Sequence, residues 1–234
     1  MTRARLAKWI RGLPVLGRFV YRLRAHDQPL VPFDGSADYW QRRYAAGGDS
    51  GIGSYGKFAH FKARVLNELF IELGIESVVE MGSGDGNQLA LLEVPQYLGV
   101  DISADAVMRC RQRFAGQVGR CFMSTDEYAG EAADCALSLD VIYHLVEDDA
   151  FDAYMRVLFA AGRRCVVIYS SNRSDEGRRS SEHVRHRVFT DWVAAHEPKW
   201  ALWRRVPTDH PYEGDWRNGS FADFYVYRPA KSPP

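Results

Sequence analysis

The stretch Ser77–Asp101, SVVEMGSGDGNQLALLEVPQYLGVD, constrains the fold more than any other part of the chain. Val78 and Val79 form a short β-branched run that stops at Glu80-Met81-Gly82-Ser83-Gly84-Asp85-Gly86. A helix-compatible run, Gln88–Leu92, follows, and Tyr97–Val100 reads as a second strand with Asp101 at its tip. Strand, glycine turn, helix, strand and acid make the first half of a nucleotide-binding βαβ unit. Glycine tolerates positive φ and lets a ligand approach the backbone, because no Cβ stands in the way. An acid at the tip of the second strand can accept both hydroxyls of a ribose.

The spacing narrows the ligand. A dinucleotide fingerprint needs glycines at the first, third and sixth positions, with the pyrophosphate on the helix N-terminus. Here they fall at 82, 84 and 86, and the sixth position is Asn87. Glu80 before the turn and Asp85 within it would repel a pyrophosphate but attract a donor carrying an ammonium and a sulfonium. The pattern E-x-G-x-G-x-G ahead of an acid-tipped strand resembles the class I S-adenosylmethionine-dependent methyltransferases. The resemblance covers residues 57–228. It implies an α/β fold: a Rossmann-like, seven-stranded, mostly parallel sheet with an antiparallel last strand and helices on both faces. It also implies S-adenosylmethionine as cofactor, held by Glu80, Gly82, Ser83, Gly84, Gly86, Asp101, Ile102 and Leu139. Asp126 follows the third strand, where that family usually carries an acid or amide for the adenine amino group.

Composition sets the outer limits. At 234 residues, 46% hydrophobic and 26% charged, one soluble globular domain is expected. Cys110, Cys121, Cys135 and Cys165 include no C-x-x-C pair and read as reduced, mostly buried thiols of a cytoplasmic protein. No apolar run reaches the length of a bilayer span. The net charge of zero hides an asymmetry: residues 1–24 carry seven basic side chains and no acid, leaving 23 basic against 30 acidic in the remainder. An acidic body argues against nucleic acid as a partner.

Three segments follow from the pattern. Residues 1–35 are a basic amphipathic extension and linker; within 1–25, Trp9 and the Leu and Arg residues could touch an anionic membrane surface, the inner face in a cytoplasmic protein. Residues 36–56 open with Ser36 as a candidate N-cap and continue into a glycine-rich segment, a candidate lid with Tyr55 at its tip, facing the cofactor. Residues 57–230 form the catalytic domain. It starts with an amphipathic helix over Lys57–Leu73, stopped by Gly74. Further on, Ser103 caps a helix, Val118–Met123 is a third strand, and Cys135–Leu139 and Cys165–Tyr169 are buried strands. Thr190, or the residue before it, caps a helix over Phe189–His196; Lys199–Val206 is a sixth strand, and FADFYVYRP is the antiparallel last one.

The chemistry is expected at Asp140-Val141-Ile142-Tyr143-His144-Leu145, which leaves the fourth strand at its carboxyl end, where ligands bind in open α/β sheets. By the resemblance, His144 lies beside the transferred methyl group. As general base it would take the proton of a hydroxyl, with Asp140 positioning it, the acceptor or the cofactor. Glu147, Asp148 and Asp149 fit the first turn of the next helix better than a magnesium site, so no metal ligand is assigned. Trp192, Trp200, Trp203, Tyr212 and Trp216 could stack on sugar rings, and the polar loop with Arg173, Arg178, Arg179, His183, Arg185 and His186 could select the acceptor. The leading expectation is O-methylation of a sugar or oligosaccharide hydroxyl. The alternatives are a small-molecule N- or carboxyl-methyltransferase and a non-catalytic cofactor-binding assembly subunit; a dinucleotide oxidoreductase conflicts with the glycine spacing.

Overall fold

The computed structural model describes residues 31–175 and 181–230. The basic segment 1–25, with its proposed membrane contact, and Arg178 and Arg179 lie outside them. Among the described residues, α1 (Ser36–Ala45) and a short 3-10 turn (Ile52–Ser54) precede α2 (Gly56–Leu73). Then come β1 (Ser77–Met81), β2 (Gln96–Asp101), α3 (Ala104–Arg113), β3 (Arg120–Ser124) and β4 (Ala133–Leu139). The chain ends with α4 (Asp148–Ala161), β5 (Gly162–Ser170), α5 (Phe189–His196), β6 (Trp200–Val206) and β7 (Asp223–Pro229). Among the described residues no helix is long and apolar enough to cross a membrane.

The strands form one sheet in the order β3-β2-β1-β4-β5-β7-β6, with β7 antiparallel to both its neighbours and the other pairs parallel. This is the expected fold class. β4 and β5 are buried almost end to end, as continuous apolar strands in a sheet covered on both faces must be. One core packs α2 and α3 against the sheet through Phe61, Leu66, Phe70 and Val107, and a second packs α4 and α5 through Met155, Leu158, Phe159 and Phe189. Truncating a fully buried member such as Leu66 to Ala costs about 2–5 kcal/mol. Gly74 ends α2 in the left-handed region (φ 58, ψ 49), and the N–H groups of Gly74 and Ile75 return to the carbonyls of Ile71 and Phe70. The strand order reverses between β1 and β4, so their carboxyl ends flank a natural crevice.

Several local expectations are corrected. Gln88–Leu92 does not form a helix; only a 3-10 turn, Leu89–Leu91, fits between the glycines and Pro95, which precedes β2 directly. β3 begins at Arg120, not Val118: Val118 is 95% exposed, and Gly119 turns the chain at φ 80. Ser36 is not a cap but stands inside α1, its hydroxyl donating to Glu147 Oε2 (2.6 Å) and accepting the Val146 N–H (2.9 Å). Thr190 lies inside α5 and bonds Asn172, while Val188 occupies the cap position. Ser103 does cap α3, accepting the Ala106 N–H. Cys110, Cys135 and Cys165 are buried free thiols, and Cys121 is an exposed one.

Candidate active site

A cavity of about 480 Å³ lies at the carboxyl ends of β1, β2 and β4, within the range of small-molecule sites. The glycine turn forms its floor. Gly82 (φ 80) and Gly84 (φ 58) line it, and neither position accepts a side chain. A Cβ on Gly82 would stand 2.6 Å from Val141 Cγ2, and one on Gly84 only 2.3 Å from Ser50 Oγ. Gly86 (φ 70) differs: its space is taken by Phe114 and Cys110, so it serves the packing of the turn on α3 and does not line the cavity.

The carboxylates of the floor are held in place by backbone and phenol donors. Asp101 accepts the N–H of Gly84 (2.8 Å) and of Ser103 (2.9 Å), while burial pushes its pKa up to about 6 against those bonds. Glu80 accepts the Tyr97 hydroxyl at 2.5 Å; burial pushes it up to about 7, with the Tyr97 bond and the Lys62 charge pulling the other way. Ser83, Ile102 and Leu139 also line the cavity, as expected. Ser83 Oγ and Gln88 Oε1 are buried there without a hydrogen-bond partner. Buried polar atoms rarely stay unpaired, so both atoms fit a ligand that brings its own polar groups.

Among the lining residues that the expectation missed are Gln88 and Lys62. Lys62 is 0% exposed and donates to Asp140 Oδ2 at 2.6 Å. It falls between Phe58 and Leu66 at helical spacing, on the apolar face of α2, and a charge on that face was the available signal. Asp140 adopts φ 60 and also accepts the Tyr143 hydroxyl (2.9 Å). Its hydrogen bonds thus go to Lys62 and Tyr143, and none goes to His144.

Segment 36–56 forms one wall. Ser36, Ala37, Trp40, Tyr44, Ser50 and Ser54 line the cavity. The segment is fastened to the glycine turn at Asp85, whose Oδ2 accepts the Ser50 N–H (3.2 Å) and the Tyr55 hydroxyl (2.5 Å). Asn87 Nδ2 donates to the Ser54 carbonyl (2.7 Å). Tyr55 is therefore a fastener of the wall and does not line the cavity. Asp126 is also misplaced by the expectation: the turn closed by Glu127 and Tyr128 N–H groups on the Ser124 carbonyl leaves Asp126 exposed, and Thr125 and Tyr128 line the cavity instead.

His144 lines the cavity from a 3-10 turn, Ile142–His144. Its Nδ1 lies 2.9 Å from the His183 carbonyl oxygen. A carbonyl only accepts, so Nδ1 carries the proton and Nε2 keeps its lone pair. Burial lowers the pKa to about 4, opposed by that same hydrogen bond, so the imidazole is neutral near pH 7. The polar loop serves this turn: Arg185 and Arg187 donate to carbonyls of Tyr143, Leu145 and Val146. His186 is buried against Ser171.

The C-terminal aromatic residues lie elsewhere. Trp192 packs on Phe151 and donates to Asp152, Trp200 packs on Phe159, and Trp203, Tyr212 and Trp216 are exposed. None lines the cavity, so they lend no support to a sugar subsite. Glu147 holds Ser36 and Asp148 pairs with Arg185 and Arg187. Among the described residues no group of three or more His, Cys, Asp or Glu side chains converges as metal ligands would.

Residues 79–166 match a family described as a methyltransferase domain. No curated protein sequence matches the chain. Among solved structures, the N-methyltransferase NodS from Bradyrhizobium japonicum WM9, in complex with S-adenosyl-L-homocysteine, is similar at TM-score 0.65 and 16% identity, over 85% of this chain and 100% of that one. Magnesium protoporphyrin IX methyltransferase (ChlM) from Synechocystis PCC 6803, with bound S-adenosyl-L-homocysteine, gives 0.58 and 15%, over 76% and 91%. The methyltransferase domain of bacterial CtHen1-C gives 0.57 and 18%, over 77% and 100%. The similarity thus covers residues 79–166 at the level of a methyltransferase domain, and the fold is shared with these S-adenosylmethionine-dependent methyltransferases.

Proposed function

We propose that the protein methylates a hydroxyl oxygen of a sugar or oligosaccharide, with His144 as general base. The observation that carries the reading is the imidazole itself: neutral, at the cavity wall, with Nδ1 committed to the His183 carbonyl and Nε2 left as the proton acceptor. S-adenosylmethionine supplies an electrophilic methyl on a sulfonium. The cavity floor fits such a molecule. Asp101 would accept the ribose hydroxyls, Ile102 and Leu139 would flank the apolar parts, and Glu80 and Gln88 Oε1 would face positive charge. Lys62 is the cationic side chain among the described lining residues and would balance a carboxylate.

The chain's own work is to hold the acceptor oxygen in line with that methyl and to remove its proton as the oxygen–carbon bond forms. The proton goes to His144 Nε2 and then to solvent. An aromatic face beside a base suits a sugar ring, and Trp40 supplies one, its ring edge-on to His144 at 4.9 Å. The test is methyl transfer to a panel of glycans and monosaccharides by wild type and His144→Ala. Transfer to a hydroxyl that His144→Ala loses supports the reading. Transfer only to amines or carboxylates, with His144→Ala still active, sinks it, because a carboxylate has no proton to lose and an amine can lose its own to solvent.

A further inference from the structure

His144 is held from outside its own loop. Its ring lies parallel to that of His183 (5.6 Å, 12°), and His183 in turn lies parallel to Tyr39 of α1 (4.6 Å, 13°). Both separations suit offset stacking. The His183 carbonyl fixes the tautomer from the same residue whose ring forms the stack. Around it, the Arg185 N–H bonds the Tyr143 carbonyl (2.8 Å) and Arg187 Nη1 the Leu145 carbonyl (2.6 Å), so segment 183–187 straps the 143–146 loop. Tyr39 is buried, and its helix also supplies Trp40, which meets the His144 ring at a steep angle (4.9 Å, 74°). A base presented on a short 3-10 turn, with Asp140 bonded elsewhere, has its orientation set by this ring stack.

We infer that Tyr39 and His183 are positioning residues for His144, so that the seating of α1 on segment 183–187 orients the base. The inference rests on the reading of His144 given above. It makes the 36–56 wall part of the catalytic apparatus, beyond its role in closing the cavity. The charged and titratable groups around the imidazole are His183 from the strap, Arg43 from α1, and Asp140 and Tyr143 from its own loop. Removing the His183 ring opens that face to water and frees Nδ1 to rotate away from the carbonyl.

The test needs no acceptor. Full-length protein labelled with ¹⁵N-histidine is titrated by NMR, with His144→Ala identifying the His144 signals. In wild type they should show the Nδ1-protonated tautomer and a midpoint well below that of an ordinary histidine, about 4. His183→Ala and Tyr39→Ala should move the midpoint up toward that of an ordinary histidine, about 6.5, and mix the tautomers. His183→Phe and Tyr39→Phe, which keep the stacked rings, should stay within half a unit of wild type. Calorimetric affinity for S-adenosylhomocysteine should change less than twofold in all four variants. Once an acceptor is known, kcat should fall about tenfold in the two alanine variants with the donor KM unchanged. An unmoved midpoint and tautomer in both alanine variants overturns the inference while leaving His144 as base. An equal loss of donor affinity also overturns it, since that marks general packing. Full turnover by His144→Ala removes the base itself, and both readings go together.

Discussion

The floor of the cavity and its His144 wall are built in opposite ways. The floor is local: Glu80 to Asp101 supplies nearly every group, and backbone amides and excluded Cβ atoms fix its shape. The wall is assembled from three distant pieces: α1, the 140–146 loop and segment 183–187. A local site tolerates little change in its own residues but hardly senses the rest of the chain. A composite one can be broken from far away, and each of its parts can be altered without unfolding the others.

The sharpest way to separate the two is His144→Ala. It should lower kcat by about 10²–10⁴-fold and leave donor affinity within twofold, read by steady-state kinetics and calorimetry. Comparable losses in both would mean that floor and wall are one unit. Next comes Lys62→Met, which strips a fully buried cation from Asp140 and leaves that carboxylate with Tyr143 alone. Breaking such a pair should cost about 3 kcal/mol in denaturant unfolding. Gly84→Ala probes the floor directly. The left-handed φ and the collision with Ser50 should cost about 1–3 kcal/mol, seen as roughly a 5- to 150-fold weaker S-adenosylhomocysteine affinity.

A smaller effect concerns pH. Glu80 and Asp101 have pKa values raised to about 7 and about 6, so in the free protein they hold protons that an unfolded chain would have released. They therefore weaken the unliganded fold as pH rises through that window. A positively charged donor favours their ionised forms. Donor binding should release protons and tighten by several-fold from pH 6 to pH 8, with a larger thermal shift at the higher pH. His144 works the other way: its pKa is lowered to about 4, so the stability linked to its neutral form is present above about 6.5 and lost on acidification toward 4. The smallest effect is Trp203→Ala. With that ring exposed and outside the cavity, turnover should change less than twofold.

The contrast also explains what was legible in the sequence. The seven strands, the Gly74 stop and the Ser103 cap follow from periodicity and turn chemistry, which act over a few residues. Gly82, Ser83, Gly84, Asp101, Ile102 and Leu139 reach the cavity because they follow strand ends directly. Asp126 failed because a single turn decides which way a residue faces, and pattern alone does not encode that direction. Gly86 was grouped with its neighbours although its missing Cβ serves Phe114. Lys62, Gln88 and Tyr39 could not be joined to the site without tertiary contacts, although a lysine on an apolar helix face was a visible anomaly; His183 was placed in a loop near the site, but its stacking on His144 was not readable. Trp192 and Trp200 show the converse error: aromatic content suggested a binding surface where Phe151 and Phe159 of α4 needed covering, while Trp203, Tyr212 and Trp216 stand exposed away from the cavity.

Ser36 is a keystone. One hydroxyl ties the first turn of α1 to Glu147 and to the amide of Val146, two residues beyond His144. Immediately before it, Gly35 sits at φ 126, a swivel that L side chains resist. The start of α1 and the loop that carries His144 are therefore bolted together through a single oxygen, and a shift of either is handed to the other.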